Sequence, residues 1–533
     1  MDSAEPPPPQ VRSGARAARR ATCRPMPDIV LSTLNAKFIH AAFGLRYLLA
    51  NLGELQPRAC LVEFDINQRP LDIAEVLLAR EPKIVGLGVY IWNVAETTEL
   101  VATLKRLRPD LTIILGGPEV SHETESQEIV RLSDYVITGE ADLKFAEVCG
   151  QLLRADNPAT KIIHAPLPEM NRLRLPYELY TDDDLAHRVL YVEASRGCPF
   201  TCEFCLSSLD VPVRAVELET FLAALSRLLA RGAKQFKFVD RTFNLNLNTG
   251  RAILEFLLAR FEPGMFFHFE MVPDRLPEGL RELVKRFPPG ALQFEVGIQT
   301  FNEEVAGLIS RRQNYERLAD NLRFLRAETG VHVHADLIAG LPGESVESFG
   351  TGFDRLIALG PQEIQVGILK RLRGTPIVRH DVDWAMTYAA HPPYEILQTR
   401  LIPFADLQRL RRFARYWDLV GNSGNFVETT PLLWRVGGSP FAGFMKWSDW
   451  LFAKTRRTHG VALMRLMELL MEFLTTEAGV ETVTAQRALL NDYRRGGHGD
   501  TPKFLIEAAT PELAEAPKQK LPAAKRQRRH LAK

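Results

Sequence analysis

Three of the six cysteines fall within eight residues, in Glu193-Ala-Ser-Arg-Gly-Cys198-Pro-Phe-Thr-Cys202-Glu-Phe204-Cys205. Spacings of three and then two intervening residues put three soft thiolate donors on one tight loop. Three such donors can hold three irons of a 4Fe–4S cluster and leave the fourth open to a small molecule. A pure electron carrier would be ligated four times. Two plainer readings stand beside this one. A structural zinc ion would want a fourth Cys or His nearby, and the flanking histidines, His187 and His268, suit no compact site. The other is a trio of inert buried cysteines.

A loop of this kind needs a frame. From the strand leading into it, β-branched and aromatic runs alternate with helical patterns: VLYVEA (189–194), QFKFVD (235–240), MFFHFEM (265–271), LQFEVGI (292–298), VHVHADLI (331–338) and EIQVGIL (363–369). Six such units predict a partial β/α barrel, whose function gathers at the carboxyl ends of its strands. Those ends carry Asp240 to Asn244, Glu270, Gln299-Thr300, Gly340-Leu-Pro-Gly343-Glu344 and Lys370 to Pro376. The plain alternative for each polar residue is that it only caps a strand.

Upstream, from Pro27, five more short strands alternate with helical stretches: 29–34, 59–64, 83–90, 111–117 and 134–138. Strict alternation implies a parallel sheet covered on both faces, here a flavodoxin-like, Rossmann-type domain. Ligands in such a fold sit beyond the carboxyl ends of the strands. Those ends read Asn35 to His40, Asp65-Ile-Asn67, Gly88-Val-Tyr90-Ile-Trp92-Asn93, Gly116-Gly117-Pro118 and Gly139-Glu140-Ala-Asp142. The Gly116–Gly117 pair lets a large planar group approach the backbone, because no Cβ stands in the way. An unliganded α/β domain is the alternative.

Length and composition agree with this division. The 533 residues, 46% hydrophobic and 25% charged, suit about three or four domains with real cores. Lys plus Arg is 66 against 65 Asp plus Glu, which excludes a broadly basic nucleic-acid binder. No run is long and apolar enough to span a bilayer. Few cysteines, half of them clustered, point to a reducing compartment and a metal site. The expected boundaries are a disordered leader (1–26), an N-terminal domain (27–156), a linker (157–187), the barrel (188–378), a helical region (379–497) and a basic disordered tail (498–533). Met26, directly before the first patterned segment, is a candidate start. The last sixteen residues hold seven Lys or Arg and no acid, read as a solvated tail. In the helical region Leu407, Leu410, Phe413 and Trp417 make an apolar stripe, with Arg409, Arg411, Arg412 and Arg415 among them. It reads as a cap on the barrel, or a lid that selects substrate.

Cys-x3-Cys-x2-Cys with an aromatic before the last Cys, ending the first strand of such a barrel, resembles the radical S-adenosylmethionine superfamily. The preceding α/β domain with its Gly-Gly pair resembles the cobalamin-binding domain that one large branch carries, and the C-terminal part is similar to an uncharacterised extension of some members. The first two resemblances cover about residues 27–378. They imply that Cys198, Cys202 and Cys205 ligate three irons, and that S-adenosylmethionine chelates the fourth. Asp240–Asn244 then takes the place of the motif contacting the methionine amine, departing from the common Gly-Gly-Glu form. Glu270 and Gln299 map to ribose-contacting positions, and Gly340–Gly343 to the loop by the adenine. The corrin would lie against Asn67, Tyr90, Asn93 and Gly116–Gly117. Where many relatives carry Asp-x-His-x-x-Gly this chain has Asp65-x-Asn67-x-x-Pro70, which implies cobalamin without a protein His ligand.

The implied chemistry is reductive cleavage of S-adenosylmethionine to a 5′-deoxyadenosyl radical, with electrons from a flavodoxin or ferredoxin. Methylation of an unactivated carbon follows, the methyl group passing through the corrin from a second S-adenosylmethionine. Rearrangement, ring contraction, cyclisation or oxidation with the same cofactors is the runner-up. A non-catalytic cobalamin or redox sensor is a third reading, disfavoured by Asp240, Glu270 and Gln299 standing beside all three cysteines. Methylthiolation is rejected, since outside the motif only Cys23, Cys60 and Cys149 remain. The expected substrate is a small molecule or peptide, with no membrane or nucleic acid, in the cytoplasm. The substrate space is expected as a wedge between the two cofactor domains, lined by Tyr90 and Trp92.

Overall fold

β1 (Ile29–Asn35) is buried along its whole length, as a central strand with helices on both faces must be. Its neighbour β2 (Ala59–Asp65) alternates buried with half-buried residues, the mark of an edge. In the computed structural model, which describes residues 26–209, 212–498, 500–508, 527, 529 and 530, these strands join four others. They are β3 (Ile84–Gly88), β4 (Thr112–Gly116), β5 (Tyr135–Thr138) and β6 (Ile162–His164), in the order β2-β1-β3-β4-β5-β6. All neighbours are parallel, and separate apolar cores cover the two faces. The first five strands have the expected flavodoxin-like order. β6 was not expected: it lies in the segment read as linker, too short to show alternation.

The rest of that segment is tied down. Thr181 caps the helix Asp182–His187 in a reciprocal capping box with Asp184. Asp184 and Glu63 both bind the buried Arg46, at 2.9 and 2.8 Å. Arg188 adds a second cation on Glu63 at 2.9 Å.

β7 (Leu190–Val192) leads into the cysteine loop. The two-residue strands β8 (Ser195–Arg196) and β9 (Arg214–Ala215) pair across its neck. Then come β10 (Gln235–Phe238), β11 (Phe266–Met271), β12 (Leu292–Gln299), β13 (His332–Ala339) and β14 (Glu363–Ile368). The second sheet runs β14-β13-β12-β11-β10-β7, all parallel, with helices between its strands. This is the expected partial six-stranded barrel, open between β7 and β14.

The C-terminal region opens with a small hairpin, β15 (Thr387–Tyr388) and β16 (Ile396–Gln398), before the helices Phe404–Leu419, Pro440–Thr455, Leu463–Thr476 and Thr482–Arg495. One apolar core runs from the barrel into these helices. The stripe Leu407, Leu410, Phe413 and Trp417 is buried, and Phe413 and Trp417 meet the ring of Phe353, on a barrel helix, edge to face. The region is therefore built onto the barrel, as a cap would be. Residues 1–25 of the leader and most of the tail lie outside the described residues. Where described, the tail touches the fold: Gln527 bonds Gln293 at 2.7 Å and His530 lies 3.0 Å from the Asn422 carbonyl. Among the described residues no helix is long and apolar enough to cross a membrane.

Candidate active site

The cysteine loop is held from inside by Glu203, a buried carboxylate between Cys202 and Phe204. It accepts from Ser310 at 2.6 Å, meets His380 at 2.8 Å and pairs with Arg379. Its backbone is tied at both ends, N–H to Ile309 and C=O to Ile377. Cys198 and Cys202 are nearly buried and Cys205 is half-buried. Burial pushes the Cys198 thiol up, and the neighbouring Cys205 and Cys202 add to it. Arg311 approaches Cys202 Sγ at 3.4 Å. Among the described residues, no three His, Cys, Asp or Glu side chains converge as the ligands of one metal ion would. A 4Fe–4S cluster would take the three thiolates on three different irons.

The strand-end residues divide into two groups. Asp240 accepts from the Ala194 N–H and from Ser195 Oγ at 2.7 Å, and burial pushes it up to about 6. Its carboxylate thus braces the start of the cysteine loop. Asn244 spends its amide on the backbone of the 272–275 loop, donating to Val272 and Arg275 and accepting from Val272 N–H. At Gly340 and Gly343 φ is +89° and +79°, and an added Cβ would strike Ile396 and Leu308. Chain packing surrounds both glycines. Glu270 and Gln299 are different. Glu270 is half-buried beside Arg241 at 3.4 Å, with burial raising its carboxyl. Gln299 holds φ +72°, rare for a side-chain-bearing residue, at a bulge in β12. Its buried Oε1 has no partner among the described residues, which leaves it free to meet a ligand.

Along β10 to β13 the residues that alternate with the buried apolar ones include Lys237, His268, Glu270, Glu295, His334 and Asp336. Glu295 meets Lys237 at 3.1 Å and His268 at 2.8 Å. Burial opposes its ionisation, but those partners hold its carboxyl well below the usual range. Burial pulls His334 down, yet Asp336 and Glu363 overcome this and lift it to about 10. Strand-end reasoning missed this ladder. The signal was present in FKF, FHFE and VHADL, where a polar residue interrupts each apolar strand at period two.

In the N-terminal domain a cavity of about 290 Å³ opens at the carboxyl ends of β3, β4 and β5. Gly86, Gly88, Gly116, Gly117 and Gly139 line it, with Tyr90 and Phe145. Gly117 has φ +108°, and a Cβ there would lie 2.4 Å from the Val89 carbonyl. Of the residues expected here, Tyr90, Gly116 and Gly117 line the cavity and Asn67 and Asn93 do not. Asn67 is exposed and bonds Asp65. Asn93 is buried and satisfied by Thr33, Leu34 and Gly88, pinning the β1–β3 crevice. Trp92 is exposed and stacks on Tyr90 at 4.4 Å. A glycine-walled, largely apolar space at the carboxyl ends of the strands fits part of a corrin nucleotide.

The barrel reaches this cavity through Arg196, two residues before Cys198. Its guanidinium binds Glu140 at 2.9 Å and Asp142 at 2.8 Å, both in the turn after β5, and Glu193 at 2.8 Å. It also lies over Tyr47 at 4.4 Å. Burial pushes Glu193 up to about 7 in spite of Arg196. Glu193 and Arg196 themselves line the cavity.

Comparison with known proteins follows the same division. The B12 binding domain model matches residues 29–149, the radical SAM superfamily model 192–355, and a protein family of unknown function 382–533. An uncharacterized methyltransferase of Pyrococcus horikoshii is 25% identical over 52% of this chain and 64% of its own length. The cobalamin-dependent radical SAM methyltransferase TokK of Streptomyces tokunonensis is 24% identical over 54% of this chain and 47% of its own. The chain thus spans less than two thirds of these relatives. In fold it is similar to the radical S-adenosylmethionine methyltransferase TsrM from Kitasatospora setae, with a TM-score of 0.56, 14% identity, and 80% and 99% of the two chains covered. Residues 29–149 are a B12-binding domain and 192–355 a radical SAM domain, and the chain is a radical S-adenosylmethionine protein with an N-terminal cobalamin-binding domain.

Proposed function

We propose that the protein is a cobalamin-dependent radical enzyme that methylates an unactivated carbon. The observation that carries this reading is Arg196, which ties the cysteine loop to the rim of the glycine-lined cavity. Cys198, Cys202 and Cys205 would hold the 4Fe–4S cluster, and the Gly116–Gly117 cavity part of the cobalamin, with no protein histidine on cobalt. When bound, the cluster supplies the electron that cleaves S-adenosylmethionine to the 5′-deoxyadenosyl radical, and the corrin supplies the methyl group.

The chain's own residues position and exclude. Glu203 fixes the cysteine loop. Gln299 offers its unpartnered Oε1, and Glu270 a half-buried carboxylate, to the polar groups of S-adenosylmethionine. The charged ladder behind them orients a polar substrate. Methylthiolation does not fit, because Cys60 and Cys149 pack in cores on opposite faces of the sheet. The reading includes a flavodoxin or ferredoxin as electron donor, a small-molecule or peptide substrate, and a cytoplasmic setting.

Turnover tests it. Anaerobically loaded protein, given dithionite and S-adenosylmethionine with cell-extract metabolites, should yield both 5′-deoxyadenosine and S-adenosylhomocysteine. Deoxyadenosine alone would move the assignment to rearrangement, cyclisation or oxidation, and neither product would end the radical reading.

A further inference from the structure

A partial barrel has two free edges, and here parts of the chain outside it cover both. The outer edge of β7 takes the N-terminal loop around His40. His40 and Val189 form a parallel bridge, and Tyr191 Oη lies 2.7 Å from His40 Nδ1. On the edge of β14, the Asn422 amide accepts from the N–H of Ile364 at 2.8 Å and donates to its C=O at 2.9 Å. Between these covers runs a cleft of about 760 Å³. It extends from His334 and Gln365 to Lys37 on the N-terminal side and to Arg411, Arg412 and Arg415 on the helix Phe404–Leu419.

The charge of this seam is one-sided. Four Lys or Arg side chains and His334 face two carboxylates, Glu395 and Asp418. Arg411 pairs with Glu395 at 2.8 Å, and Arg415 with Asp418 at 3.6 Å. Arg412 instead stacks on Phe452, its guanidinium 4.4 Å from the ring centre. Among the described residues no carboxylate lies within ion-pair distance of Arg412 or Lys37. Spacing along the helix explains the grouping, since residues 411, 412 and 415 share one face.

We propose that the seam binds the acidic group of the substrate, which is therefore an anion bearing a carboxylate or a phosphate. A guanidinium fork recognises either oxyanion in a bidentate way, and Lys37 adds a point charge from the opposite lip. The proposal deepens the radical reading and rests on it for the reaction served inside the barrel. It also gives the C-terminal region a task beyond covering an edge.

The test uses the full chain without cluster or corrin, so that binding is read apart from catalysis. Inorganic phosphate and succinate are titrated calorimetrically at low salt, with glycerol as a neutral control. One of the two anions should bind, and binding should weaken about tenfold or more in Arg412→Gln, a shift well above calorimetric error. It should also weaken in about 0.5 M salt, where exposed charges are screened. Preference for phosphate would indicate a phosphoester, and preference for succinate a carboxylic acid. Lys37→Gln, on an exposed loop, should repeat the loss even where the arginine variant does not fold. Binding of neither anion, or equal binding in both variants, would overturn the proposal. Iron and corrin contents, assayed separately, decide the radical reading.

Discussion

Glu203 carries the cysteine loop. Removing one member of a buried, hydrogen-bonded charge group costs about 3–5 kcal/mol, because its partners are left unpaired. Glu203→Ala should lose that much in urea unfolding and retain little iron after reconstitution, while Glu203→Gln, which still accepts from Ser310, should lose less of both. Equal iron retention in all three proteins would remove Glu203 from the account. Glu344 makes a pH prediction. Among the described residues its carboxyl meets only Thr300 and Ser348 and its Oε2 has no partner, and burial raises it from 4.5 to about 7. The folded state therefore keeps this proton to higher pH than the unfolded chain does. Its contribution is most favourable below pH 4.5 and is lost as pH rises to about 7. Glu344→Gln should accordingly gain stability relative to the parent between pH 5 and pH 8, read as the difference in unfolding free energy. A difference independent of pH would contradict the assignment.

Elements place these residues, and two adjacent glycines separate folding from binding. At Gly117 a Cβ would enter the Val89 carbonyl, whereas at Gly116 it would meet only the Ile137 carbonyl, at 3.6 Å. Gly117→Ala should lose about 1–3 kcal/mol of stability through its positive φ alone. Gly116→Ala should fold normally yet bind corrin poorly, since its methyl would project into the cavity; full corrin loading there would exclude the cavity as the site. Both sheets were legible in the sequence because runs rich in β-branched and aromatic residues alternate with helical stretches. β6 was not, with three residues and no alternation. Gly116, Gly117 and the cysteines stand out in the sequence because backbone approach and soft ligation restrict residue type. Asn93 and Asn244 both spend their amides on backbone groups. An asparagine at a strand end is equally suited to a ligand or to orphaned backbone groups, and only the fold shows that both serve the backbone. The charged ladder of Lys237, His268, Glu295 and His334 went unseen because attention to strand ends passes over strand middles.

At the scale of the whole molecule, the two cofactor domains are joined by charge. Arg196 binds Glu140 and Asp142, and on another face of the interface Arg373 binds Glu119 at 2.9 Å and Glu123 at 3.1 Å. Arg196→Gln would leave Glu140, Asp142 and Glu193 short of a cation in a partly buried site. Thermal unfolding should then split into two transitions, with the N-terminal domain melting first; a single unshifted transition would show that the contact is not coupled to folding. The central claim is that one chain holds both cofactors with their sites facing each other. The most direct test is the content of iron, sulfide and corrin per chain after anaerobic reconstitution with iron, sulfide and hydroxocobalamin. The account predicts about four irons, as many sulfides and one corrin, with iron lost in Cys198→Ala and corrin retained. Iron without corrin would contradict it, leaving a radical enzyme whose first domain serves some other purpose.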